Sequence, residues 1–360
     1  MKSVFLTPGP SELYFTVQDH LRQAMQEQVC SISHRSKAFE DIYKKAEEEL
    51  RTLLNIPQQY HIVFTASATE VWERLLQNCV EHQSYHLVNG SFSKRFYDFA
   101  GLLGKNALLN EKPLGEGFSA ADVEVPEGTE MICLTQNETS TGVSLPLEDI
   151  YQIREKYPDT LITVDAVSSI PYVDIDFTKI DSLYFSVQKG MGLPAGLGVW
   201  ILNEKCVAKA DMLLQKGNSI GTYHSLPSLL EKAAKNQTPE TPNMLGIYLL
   251  GKVCEDMNRR SIATIRQETN YKAALINYLY NEHALFSHFV KEEKHRSKTV
   301  LVADVKDIPA AELIEKVKKL GITIGSGYGK NKASQIRIAN FPTHSKEIFE
   351  RLVDVLNELG

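Results

Sequence analysis

The stretch Ser182-Leu-Tyr-Phe-Ser-Val-Gln-Lys-Gly-Met-Gly-Leu-Pro-Ala-Gly-Leu-Gly-Val-Trp-Ile-Leu202 decides how the chain is read. Its opening run is apolar up to one residue before Lys189, and a short apolar run bounded by turn residues marks a strand buried on both faces. Glycines at 190, 192, 196 and 198 follow, where backbone can approach a bulky neighbour closely, and Val199-Trp-Ile-Leu202 reads as the next strand. Working outward, Leu161-Ile-Thr-Val164 is a similar run that ends on Asp165, 24 residues before Lys189. Residues 60–64, 86–88 and 131–135 also read as strands, alternating with helical spacing at 39–54, 69–80, 93–103 and 147–156. This alternation predicts an α/β fold, a mostly parallel sheet flanked by helices.

After about residue 256 the texture changes. A long helical stretch at 262–282 precedes strands at 299–303, 322–324 and 336–338, with helices at 310–320 and 346–359. That order predicts a small α+β domain with an antiparallel sheet. The expected division is an N-terminal arm (1–14), a large domain (15–255) and a small C-terminal domain (256–360).

A chain of 360 residues with 43% hydrophobic content can bury a large core. A net charge of -6 gives no whole-chain attraction for nucleic acid or an anionic membrane. The opening Met1-Lys-Ser-Val-Phe-Leu-Thr-Pro-Gly-Pro10 has three consecutive apolar residues before Pro and Gly, which predicts neither a signal peptide nor a transit helix. No window is apolar over a membrane-spanning length. The five cysteines are odd in number and lack Cys-x-x-Cys spacing, so neither a metal site nor a disulfide framework is expected, and the expected location is the reducing cytoplasm.

Lys189 and Asp165, at the ends of two buried strands, suit pyridoxal phosphate chemistry. There a lysine amine holds the cofactor as a Schiff base and a carboxylate keeps the pyridine nitrogen protonated. Judged singly, each residue type at a strand end is more often a solvated loop residue; the glycine-rich surroundings favour the chemical reading. The loop Thr65-Ala-Ser-Ala-Thr-Glu70 joins a strand to a helix, where free N–H groups suit a phosphate and Ser67 or Thr69 suits a cap. Nothing matches Gly-x-Gly-x-x-Gly or a P-loop. Phe92 could stack on a cofactor ring or simply fill the core, and the hydroxyls of Asn137-Glu-Thr-Ser-Thr-Gly142 could bond its phenolic oxygen or cap a turn. Gly325-Ser-Gly-Tyr-Gly329 reads as a flexible turn. His34-Arg-Ser36 and Arg337 are the candidate anion binders, since a fixed guanidinium fork holds a substrate carboxylate in bidentate fashion.

Together these residues resemble the class V aminotransferases of the fold type I pyridoxal phosphate enzymes, most closely the phosphoserine aminotransferase branch. The resemblance runs from Thr7-Pro-Gly-Pro10 through Ser33-His-Arg-Ser36, Asn137-Glu-Thr139, Asp165 and Gln188-Lys189 to Gln237-Thr-Pro-Glu-Thr-Pro242 and Arg337-Ile-Ala-Asn340. It implies a ping-pong aminotransferase in which Lys189 carries the cofactor and moves the proton, Asp165 pairs with the ring nitrogen and Thr139 bonds the phenolic oxygen. It implies that Phe92 stacks on the ring, where tryptophan is usual, and that the Ala68 and Thr69 backbone with Gln188 holds the phosphate. Gln237, where asparagine is usual, and Thr238 would reach that phosphate from the other subunit of a homodimer. Arg337 would bind the α-carboxylate, and His34 and Arg35 the side-chain anion of phosphoserine or glutamate. The branch's usual Gly-His-Arg is here Gly327-Tyr-Gly-Lys-Asn-Lys332, so Lys330 or Lys332 would have to supply that charge. The Asn-Glu-Thr-Ser-Thr-Gly stretch is also similar to alanine–glyoxylate and serine–glyoxylate aminotransferases, the alternative reading. A cysteine desulfurase-like lyase needs a late nucleophilic cysteine, and none follows Cys254. A non-catalytic cofactor-binding protein would not need Lys189, Asp165 and Arg337 together.

Overall fold

The computed structural model describes residues 3–358, so the expected helix end at 359 lies outside the described residues. From the amino end come β1 (Val4–Leu6), α1 (Val17–Gln26), α2 (Lys37–Leu54), β2 (His61–Thr65), α3 (Ala68–Cys79), β3 (Gln83–Val88), α4 (Ser91–Leu102) and β4 (Asn106–Glu111). The middle holds β5 (Met131–Thr135), the short pair β6 (Asn137–Glu138) and β7 (Val143–Ser144), α5 (Leu147–Lys156), β8 (Leu161–Asp165), β9 (Ser182–Ser186) and β10 (Gly198–Leu202). Then follow α6 (Glu204–Gln215), α7 (Leu226–Ala233), α8 (Met244–Arg260), α9 (Ile262–Glu282), β11 (Phe286–His288), β12 (Val300–Val305), α10 (Ala310–Lys319), β13 (Ile322–Ser326), β14 (Gln335–Ala339) and α11 (Lys346–Asn357).

The larger sheet has the order β2-β10-β9-β8-β5-β3-β4. Its ladders are parallel from β9 through β8, β5 and β3 to β4, whereas β10 runs antiparallel to both β9 and β2. Every residue of β8 and β9 is buried, as expected of central strands covered on both faces. Because these two neighbours are parallel, their carboxyl ends bring Asp165 and the loop carrying Lys189 to the same rim of the sheet.

α3 starts where Ser67 accepts the Glu70 N–H, and it buries Val71, Trp72, Leu75, Leu76 and Cys79 along one stripe. α2 is capped by Ser36 and ends at Asn55 in the left-handed region. α8 lies along α2 so closely that a Cβ at Gly251 would stand 3.1 Å from the Ala46 Cα.

The second sheet has the order β1-β13-β14-β12-β11. Its C-terminal strands pair antiparallel, as expected, and residues 4–6 of the arm add an edge strand parallel to β13 that was not foreseen from the sequence. The expected boundary at 255 and 256 falls within α8 rather than in a linker. Within the region read as a flexible turn, Gly325 and Ser326 belong to β13 and pair with Arg337 and Ile336, and the Gly327 N–H donates to Gln335 O at 2.7 Å. β4 escaped the reading because it is an edge strand with no buried residue.

Candidate active site

Lys189 follows β9 in a tight turn and its side chain is buried. It points into a cavity of about 200 Å³ lined by Asp165, Thr139, Phe92, Ala68, Thr69, Gln188 and Arg337, all expected at the site, and by Trp72, Asn137, Tyr328 and Gly9. Its Nζ donates to Thr139 Oγ1 at 2.9 Å and stands 5.2 Å from the Phe92 ring centroid. Burial depresses the ammonium pKa further than Asp165 and Glu138 raise it, so the amine is neutralised more easily than an ordinary lysine. On the far side, Gly9 with φ of +130° runs so close that a Cβ there would stand 2.8 Å from Lys189 Cε.

Asp165 ends β8 and is also buried. It accepts the Val167 N–H at 3.0 Å and Trp72 Nε1 at 3.2 Å. Burial raises its pKa more than these donors and Lys189 lower it, and no cation among the described residues forms an ion pair with it. A buried carboxylate that faces a cavity and has no ion-pair partner fits a pyridinium N–H, which would be the missing partner.

Arg337 sits in β14. Its Nε donates to Ser326 O at 2.8 Å and its Nη1 to Thr139 O at 3.1 Å, while the guanidinium lies 5.3 Å from the Tyr328 ring centroid. Burial pushes its pKa down, although a guanidinium remains charged. Two backbone carbonyls thus hold the fork, and the remaining N–H groups on Nη1 and Nη2 are left for a carboxylate. Tyr328 continues the aromatic wall, its ring 5.5 Å from that of Phe92.

At the other end of the cavity lies the start of α3. The Ala68 N–H is taken by Ser186 Oγ at 2.7 Å, whereas the Thr69 N–H has no acceptor among the described residues, so one donor at the positive end of the helix remains for a phosphate. Glu138, fully buried, accepts the N–H and Oγ of both Ser93 and Ser140 and thereby fixes the turn that presents Phe92.

The remaining expected residues are not gathered here within one chain. Arg35 Nη1 donates to Gln237 Oε1 at 3.0 Å and to Thr238 O at 2.6 Å, and its Nη2 to Pro239 O at 2.9 Å. His34 Nδ1 lies 3.4 Å from Thr241 Oγ1. His34, Arg35, Gln237 and Thr238 thus belong to a second cluster, outside the lining of the Lys189 cavity. Lys330 and Lys332 are exposed and also lie outside that lining. Sequence reasoning missed Tyr328, the Trp72 bond to Asp165 and the role of Glu138; the only signal was aromatic or acidic residues beside motif positions.

The chain matches the aminotransferase class-V family over residues 5–88 and 118–340. It is similar to a solved phosphoserine aminotransferase from Cytophaga hutchinsonii, with 54% identity, 99% of this chain and 98% of that chain covered, and a TM-score of 0.97. A phosphoserine aminotransferase of Rhodococcus jostii is 25% identical over 342 residues, 92% of this chain and 90% of that protein. An alanine–glyoxylate aminotransferase structure from Nostoc shares the fold at 23% identity and a TM-score of 0.83, covering 100% and 95% of the two chains. The chain belongs to the class-V aminotransferases. It is therefore a pyridoxal phosphate-dependent enzyme of fold type I, and Lys189 and Asp165 stand where their strands and burial suit that cofactor.

Proposed function

We propose that the protein transfers the amino group of O-phosphoserine to 2-oxoglutarate, or the reverse, in a ping-pong cycle. The observation that carries the reading is the convergence of Lys189, Asp165, Thr139 and Arg337 on one cavity. The names of the Cytophaga and Rhodococcus relatives support phosphoserine as the amino donor. When bound, pyridoxal phosphate supplies the electron sink that lets an α-amino acid lose its α-proton and its amino group. Arg337 orients the α-carboxylate, so that the α-hydrogen faces the Lys189 amine. The amine, more easily neutralised than an ordinary lysine's because of burial, would take that proton and hand it on. Asp165 would hold positive charge on the ring nitrogen, and Phe92 and Tyr328 would flank the substrate on the cavity wall.

We further propose a homodimer in which His34, Arg35, Gln237 and Thr238 of one subunit complete the other's site, with the distal anion held by His34 and Arg35. A cytoplasmic location and the division into arm, large and small domains belong to the same reading. Among the described residues no helix is long and apolar enough to cross a membrane. The exposure of Lys330 and Lys332 favours one second reading, an alanine or serine aminotransferase with glyoxylate or pyruvate as acceptor. The visible spectrum of the cofactor-loaded enzyme decides between them. Phosphoserine and glutamate should each discharge the band of the lysine-bound cofactor; discharge by alanine or serine alone sinks the first reading.

A further inference from the structure

Glu70 and Glu240 come from segments far apart in the chain, and one buried side chain joins them. His224 Nδ1 bonds Glu70 Oε1, and its Nε2 bonds Glu240 Oε2 at 3.1 Å. An ionised carboxylate only accepts, so both ring nitrogens carry protons and the ring is an imidazolium. Burial works against this charge, but the bonds to Glu240 and Glu70 outweigh it and push the pKa up to about 9.

The placement of Glu70 gives the ring its purpose. Glu70 lies in the first turn of α3, where its N–H goes to Ser67 Oγ and its other carboxylate oxygen accepts the Ala66 N–H at 2.8 Å. It therefore shapes the turn that presents the Thr69 N–H to the cavity. Left without a counter-ion, its charge would also repel a phosphate at the same helix start. Glu240 is tied in turn to Thr238, whose Oγ1 donates to Glu240 O at 2.8 Å.

We propose that His224 is a positioning residue for the cofactor's phosphate, clamping Glu70 against the turn before α3 and offsetting the Glu70 charge at that helix start. The inference rests on the reading that the Thr69 end of α3 takes that phosphate. The test is a titration of the full-length apoprotein with pyridoxal phosphate and with pyridoxal, which lacks the phosphate, followed by visible absorbance. His224→Gln should weaken pyridoxal phosphate about tenfold and leave pyridoxal unchanged. Adding Glu70→Gln, which removes the uncompensated charge, should restore most of that loss. Equal weakening of both ligands, or of neither, overturns the proposal. Should His224→Gln not fold, Glu240→Gln removes one negative charge and leaves the imidazolium to Glu70, so it should tighten pyridoxal phosphate about threefold and leave pyridoxal unchanged; a loss, or no selective change, overturns the proposal as well. If the unaltered protein holds pyridoxal as tightly as pyridoxal phosphate, the phosphate reading itself fails and the inference falls with it.

Discussion

The Lys189 cavity and the Arg35 cluster are built in opposite ways. The first is assembled from the ends of buried strands, where Asp165, Lys189 and Arg337 are held by bonds to backbone or to other buried side chains. The second rides on loops, and its guanidinium is spent on the carbonyls of Thr238 and Pro239. Rigid elements hold the groups proposed to meet every amino acid substrate, while loops hold the groups proposed to tell one substrate from another.

The largest effect should come from the rigid half. Lys189→Ala should slow transfer by about 10⁴-fold and remove the visible band of the lysine-bound cofactor; a retained band breaks the assignment. Arg337→Ala should raise KM for every amino acid by about 100-fold, and Arg337→Lys should not rescue it, because a point charge cannot replace the fork. The loop half should answer selectively. Arg35→Ala should cost phosphoserine about tenfold in kcat/KM and leave alanine unchanged, and equal losses would remove the distinction between the halves. Tyr328→Ala should raise KM about threefold through the lost contact with Arg337, whereas Tyr328→Phe should not.

A control lies outside both regions. Glu130 is paired with Lys209 at 2.5 Å and accepts the N–H groups of Glu81, His82 and Gln83. Burial raises its pKa, but these partners outweigh it and hold the group at about 2, below its ordinary 4.5. Its stabilisation is thus present above about pH 4.5 and is lost as pH falls towards 2. Glu130→Gln should cost about 1–2 kcal/mol near neutral pH in denaturant unfolding, with KM unchanged.

The rigid half was also the legible half. Central parallel strands need unbroken apolar runs, so β8 and β9 announced themselves, and with them the strand ends that carry Asp165 and Lys189. β4 stayed hidden because Asn106-Ala-Leu-Leu-Asn-Glu111 pairs along only one edge and buries no residue. The bond from Trp72 to Asp165 spans 93 positions and follows from no local pattern. Tyr328 looked like part of a turn because its neighbours are glycines; only the β13–β14 pairing brings it over Arg337. The resemblance named the Arg35 group, but its bonds to Thr238 and Pro239 depend on how two distant loops meet.

The arm has a consequence for how the chain matures. β1 is made long before β13, yet it pairs residue by residue with Ile322, Thr323 and Ile324, while Ser11 and Tyr14 donate to Gln188 O and Gly192 O around the lysine. Such distant pairing forms slowly, because a loop of most of the chain must close before it is rewarded. During synthesis the arm is expected to gain its second anchor, the pairing with β13, only after residue 324 has left the ribosome. Cofactor capture is expected to be among the last events in the life of the nascent chain.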